Sequence, residues 1–289
     1  MAKTISIAGQ SLKISTFWKV ILISCVFIVL FWPTYAPLFE RFTAHSSYYS
    51  HGLLVPFISL YLVWRKRAKL TSLNPQPSSL GLYMLFAGIC MHLFSTVLMI
   101  NFGSYISIMM VIVGLTLYLG GKHFLRELLF PIGFLLFMMP LPEIMIIGIA
   151  FKMKIFVAHI ATIFASAVGL GAVREGSTIY LPQGFLIIGD PCSGLRSLIS
   201  FFALGILFTQ FTKAHFIKKS LLVLFTIPIA LLSNLIRIII LLFATHIYGK
   251  SAASGFFHDF SGVMVFVIGF IGFILVSRML RCKITNDSI

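Results

Sequence analysis

Long apolar runs alternate with short basic or turn-forming segments along almost the whole chain. A helix needs about 20 apolar residues to cross the hydrocarbon of a bilayer. Eight stretches reach or approach that length: 17–38, 47–64, 79–100, 103–120, 123–139, 192–212, 218–246 and 258–280. Turn formers such as Asn74-Pro75-Gln76-Pro77 and Asn101-Phe102-Gly103 separate them. A ninth apolar stretch, 143–169, carries Lys152, His159, Thr162 and Ser166 at helical spacing, a polar stripe that suits an interfacial or re-entrant helix. The pattern predicts an all-α polytopic membrane helix bundle of about eight transmembrane helices plus that ninth helix. It also predicts a single domain over residues 1–289, without internal repeats.

Composition agrees with this reading. The 289 residues are 59% hydrophobic and 10% charged, with a mean hydropathy of +1.05, whereas soluble domains carry about 25% charged residues. The net charge of +15 would suit nucleic acid, but the basic residues sit in short clusters between apolar runs. They therefore report topology, and no nucleic-acid partner is expected. Placing the N-terminus and loops 65–69, 122–126, 213–219 and 278–283 on the cytoplasmic side puts fifteen of the twenty-two Lys and Arg inside. That arrangement requires 143–169 not to cross.

The topology has a geometric consequence. Cys192 begins a span descending from the outer face, and His258 begins another. Arg237 lies nineteen residues past Lys218, about 28 Å along a helix at 1.5 Å per residue, and so reaches the outer leaflet. Three reactive side chains from three helices are thus expected at one depth. Cys192 follows Pro191 at a helix start, where unpaired amides and Arg196 one turn on favour a thiolate. Arg237 shares its helix face with Ser233 and Asn234, a polar facet in an aliphatic helix. Its charge calls for an anion, a carbonyl or a developing oxyanion.

Each residue alone has a bland explanation: a small packing residue, a snorkelling Arg, a capping His. Together they suit acyl transfer. The thiolate attacks a peptide carbonyl, His258 protonates the leaving amine, Arg237 stabilises the oxyanion, and a thioester results. Ser193, Arg196, Asn234 and Asp259 are the expected supporting residues. Cys25, Cys90 and Cys282 lie apart, in apolar runs and the basic tail. No pair has metal-ligand spacing such as CxxC or HExxH, and no phosphate-cradling Gly-rich loop is present, so neither metal nor cofactor is expected.

Several short motifs, in order, resemble the exosortase and archaeosortase family of integral-membrane cysteine protease-transpeptidases. They are Tyr49-Ser50-His51-Gly52-Leu53-Leu54-Val55-Pro56, Leu135-Leu136-Phe137-Met138-Met139-Pro140-Leu141-Pro142-Glu143, Val173-Arg174-Glu175-Gly176 and Ile179-Tyr180-Leu181-Pro182. The most specific is Cys192-Ser193-Gly194-Leu195-Arg196-Ser197, followed by Asn234-Leu235-Ile236-Arg237 and His258-Asp259-Phe260-Ser261-Gly262. The resemblance implies Cys192 as nucleophile, with Arg237 and His258 as its partners. It implies exported substrates bearing a C-terminal sorting signal, made of a short motif, a transmembrane helix and a basic tail. Cleavage beside the motif would be followed by transfer to a lipid or glycan acceptor of the envelope. The implied setting is the bacterial inner membrane, with lipid around the helices, a periplasmic or extracellular site and a link to exopolysaccharide production. Two other classes compete. A transporter would line a solute path with Arg237 and Asn234 and show pseudo-symmetric halves. An envelope lipid or glycan acyltransferase would act without a protein substrate.

Overall fold

The computed structural model describes residues 4–7, 10–44, 47–249 and 256–282, and their side chains apart from those of 4–17, 19, 20, 191 and 256–259. The chain divides into two compact units. The first comprises Met1–Arg41 and Leu70–Leu129; the second comprises Phe42–Lys69 and Phe130–Ile289.

The first unit begins with an antiparallel pair, β1 (Thr4–Ile7) and β2 (Gln10–Lys13), and the helix α1 (Ile14–Leu30). The next helix, α2 (Trp32–Thr43), departs from α1 by 72°. The cause is Pro33, which has no N–H to give and whose ring crowds the preceding turn. Thr34 and Tyr35 both donate to the Phe31 carbonyl, which leaves the Leu30 carbonyl to be satisfied from elsewhere. His92 Nε2 donates to it at 2.9 Å, from a ring tilted against Phe31. His92 belongs to α5 (Ser79–Val97), which packs antiparallel on α6 (Asn101–Leu119). Their backbones approach so closely that a Cβ on Gly81 would overlap the Tyr118 amide. Small residues serve this purpose between membrane helices, where burial from water contributes nothing.

The second unit takes in a short 3-10 turn at Ser50–Leu53, then α3 (Val55–Arg65) and part of α4 (Arg67–Ser72). It resumes late in α7 (Lys122–Phe134), whose Pro131 carbonyl accepts from Ser59 Oγ at 2.7 Å. After the 3-10 turn Leu135–Met138 come α8 (Glu143–Ala167), three strands and three helices. The strands β3 (Val173–Glu175), β4 (Thr178–Leu181) and β5 (Gly184–Ile187) form an antiparallel meander with two-residue turns at 176–177 and 182–183. The helices are α9 (Leu195–Thr209), α10 (Phe216–Tyr248) and α11 (Phe256–Met279).

Five described helices are long and apolar enough to cross a membrane: α5, α6, α8, α10 and α11. Counting the bent α1–α2 pair as one broken span makes six, so the expected eight are not reached. The expected spans 47–64, 123–139 and 192–212 resolve into helices of 11, 13 and 15 residues. The 3-10 turns at Ser50–Leu53 and Leu135–Met138, and the left-handed Gly194, take the missing turns away. Conversely 143–169, expected not to span, contains a 25-residue helix that meets the length and apolarity of a span. Its midpoint is nonetheless level with a polar turn, because Lys154 Nζ lies 2.7 Å from Asp190 Oδ1, just before α9. The all-α expectation also needs correction, since the meander was not foreseen.

The meander fixes the water boundary. Open sheet edges are not tolerated in hydrocarbon, where unpaired backbone groups find no partner. Ile179, Leu186 and Ile188 are buried against Ala158 and Ala161 of α8 and against Ile238 and Leu242 of α10, in one core cluster. With 33 residues α10 is about 50 Å long, against about 30 Å of hydrocarbon. Its last turns, from Ile238 onward, therefore stand beside the sheet beyond the lipid core.

Candidate active site

The nucleophile candidate lies at that boundary. Ile188-Gly189 leads from β5 into a 3-10 turn, Asp190–Cys192, closed by Cys192 N donating to the Gly189 carbonyl at 3.0 Å. Ser193 Oγ donates to the Asp190 carbonyl at 2.8 Å and accepts from Leu195 N at 3.3 Å, which ties the turn to the start of α9. Gly194 between them has φ +83°, a left-handed conformation that glycine adopts without steric cost. A Cβ there would also sit 2.9 Å from Asn234 Nδ2. Cys192 thus ends a 3-10 turn and stands outside the first helical turn of α9.

Helix α10 closes on this turn. Asn234, 1% exposed, donates from Nδ2 to the Cys192 carbonyl at 2.8 Å. Three residues on, Arg237 is 7% exposed and donates from Nε to Ser261 Oγ of α11 at 3.1 Å. Its guanidinium faces the Gly262 position as well. His258 and Asp259 belong to α11, His258 three residues before Ser261, but their side chains lie outside the described residues. The structure therefore brings Cys192, Ser193, Arg196, Asn234 and Arg237 together, and carries the backbone of His258 on the helix that anchors Arg237.

The electrostatics are mixed. Cys192 is 4% exposed, and burial pushes its thiol above the ordinary range. The Arg237 charge, a hydrogen bond from the Gly189 backbone and the Arg196 charge pull the other way. Arg196 lies within electrostatic reach of Arg237, Tyr48 and Cys192, so two guanidinium groups flank one thiol. Burial disfavours the thiolate, and both guanidinium groups favour it.

Sequence reasoning missed three contributors. Tyr48 faces Asp190, Ser193 and Arg196, and its hydroxyl pKa is raised by burial and then by the Asp190 charge. Lys154 holds Asp190 from α8, one helical half-turn beyond the Lys152 that the polar stripe had drawn attention to. Gly194 provides the close approach to Asn234. Tyr49 OH accepts from Leu141 N at 2.9 Å and so tethers the Pro-rich segment before α8. Of the other histidines, His51 lies beside Ser200, with Nδ1 3.3 Å from its Oγ, one turn past Arg196. Burial pushes its pKa down, opposed by the Phe137 carbonyl. His246 lies in the last turn of α10, and His45 is outside the described residues. Among the described residues no three His, Cys, Asp or Glu are placed to hold a metal ion.

The family model described as transmembrane exosortase matches residues 39–275, most of the chain and all of the site. The chain belongs to the transmembrane exosortase family. No curated protein and no solved structure matches it significantly. Membership makes this a membrane-embedded sorting protein of a generally cysteine protease-transpeptidase family. In this exosortase the matched region begins inside α2 and ends inside α11, so it covers both the Cys192 turn and the helices that hold it.

Proposed function

We propose that this exosortase cleaves a C-terminal sorting signal with Cys192 as nucleophile, and passes the new C-terminus to an envelope acceptor. One observation carries the reading. Within a single turn, α10 supplies both the amide that holds the Cys192 carbonyl and the guanidinium that faces the thiol. Asn234 is a positioning residue, since it bonds the main chain of residue 192. Arg237, fixed by Ser261, is the group for the tetrahedral oxyanion.

His258 takes the thiol proton, and the thiolate adds to the scissile carbonyl, whose oxygen becomes an oxyanion opposite Arg237. The C–N bond breaks as His258 returns the proton to the leaving amine, which departs with the signal's transmembrane helix and basic tail. The thioester on Cys192 is then resolved by an acceptor nucleophile or by water. The site opens on the non-cytoplasmic face, because the basic clusters lie at the far ends of α9 and α11 and at the start of α10. A bacterial inner membrane, a lipid or glycan acceptor and exopolysaccharide production are the setting that the family resemblance supports.

The test is processing of a tagged substrate in cells. Cys192→Ala should abolish cleavage while the protein accumulates normally, and processing that continues unchanged would remove Cys192 from the mechanism. A hydroxylamine-labile substrate adduct should map to Cys192, and trapping it on another residue would reassign the nucleophile.

A further inference from the structure

At the end of the second unit remote from Cys192, α9, α11 and residues 281–282 line an open apolar cavity of about 710 Å³. That volume is in the range of small-molecule sites, about 300–1,000 Å³. Phe208, Phe270, Phe273 and Ile274 contribute walls, and Arg278 and Arg281 stand at its rim. The rim is built with unusual backbone geometry. Arg281 has φ +53°, where helices usually place glycine. Leu280 N bonds Val276 O, and Cys282 N bonds Ser277 O at 3.0 Å, so Arg281 forms the left-handed stop of α11. Cys282 then tucks into the cluster with Leu222 and Phe273. A glycine would end the helix with less strain, and the sequence places a guanidinium there instead.

Charge at this end is one-sided. Lys213, Lys218 and Lys219 occupy the α9–α10 connection and the first turn of α10. Among described side chains the second unit's carboxylates, Glu143, Glu175 and Asp190, lie outside α9, α10 and α11, and Asp259 belongs to the opposite end of α11. Two exposed cations over an apolar cavity between membrane helices match an anionic headgroup over its acyl chain. A neutral lipid would match the walls and leave the rim uncompensated.

We infer that this cavity is a binding site for an anionic glycerophospholipid of the leaflet opposite the active site, with the phosphate between Arg278 and Arg281 and one acyl chain along Phe208 and Phe273. The site does not depend on the catalytic reading. The test uses the full-length protein in detergent, titrated with phosphatidylglycerol or phosphatidylcholine and read by native mass spectrometry. The wild type should hold phosphatidylglycerol preferentially. Each cation near a membrane surface is worth about 1 kcal/mol, so Arg278→Gln/Arg281→Gln should lower that binding by about 30-fold. Lys213→Gln/Lys218→Gln removes the same charge away from the rim and should change it much less. Should the Arg pair fail to yield folded protein, Arg281→Gln alone should give about fivefold. The proposal is overturned if both double variants lose binding equally, which is diffuse charge attraction, or if the Arg variants bind phosphatidylglycerol as the wild type does.

Discussion

The two units use the same device for different ends. In the first, Pro33 breaks a helix, the Leu30 carbonyl is freed, and His92 reaches from a neighbouring helix to satisfy it. In the second, the chain turns at Asp190–Cys192, and Asn234 reaches from a neighbouring helix to the Cys192 carbonyl. Both are buried polar side chains in apolar helices, the kind of residue that reads as functional by default. What separates them is the residue whose carbonyl is held and what lies one turn on. Beside His92 there are aromatic rings and small residues. Beside Asn234 there is a thiol, and a guanidinium follows three residues later. Polarity within a membrane helix marks a backbone in need of a partner; a fixed charge beside a thiol marks a candidate for chemistry.

Substitutions can break this contrast at either end. The largest effect is expected for Arg237→Gln, which keeps a hydrogen-bonding side chain but removes the charge. Processing should fall by about 10²–10³-fold with the folded fraction unchanged, as for loss of an oxyanion donor; a rate near wild type would place the oxyanion elsewhere. Asn234→Ala orphans a buried carbonyl, at a cost of about 1–3 kcal/mol. It should also slow processing per folded molecule, because the nucleophile turn loosens. His92→Ala should cost a similar 1–3 kcal/mol, seen as a lower melting temperature, yet leave the processing rate of the folded protein intact. If His92→Ala and Asn234→Ala behaved alike in both readouts, the distinction between the units would collapse. The smallest effect concerns pH. With its thiol raised by burial, Cys192 has less thiolate at neutral pH than an ordinary cysteine, and maleimide labelling should keep rising above the pH where free thiols level off. Arg237→Gln removes a group that lowers this pKa, so its labelling curve should move to still higher pH.

The candidate site was more legible in the sequence than the architecture around it. Cys192, Asn234 and Arg237 stand out because polar side chains are rare in such apolar surroundings, and the 3.6-residue period alone places Asn234 and Arg237 on one face. The long helices α5, α6, α10 and α11 follow from uninterrupted apolar runs. The meander does not, because its strands are three or four residues long and their alternation, as in Ile179 and Leu181, is too brief to outweigh the apolar background. The short helices were hidden for a related reason. Hydropathy integrates over a window and passes smoothly across the left-handed Gly194 or the 3-10 turn at Ser50–Leu53, although the backbone changes course there. Lys154 was invisible because its partner, Asp190, is 36 residues away and pairs only once the sheet has folded between them.

The bond from Asn234 goes to a main-chain oxygen, which every amino acid possesses. The shape of the nucleophile's turn is therefore indifferent to which side chain residue 192 carries. A Cys192→Ala or Cys192→Ser protein should keep this turn in register and, on the proposed function, be unable to cut. On the proposed function, such an inert copy would serve as bait for the substrate, to be captured and sequenced.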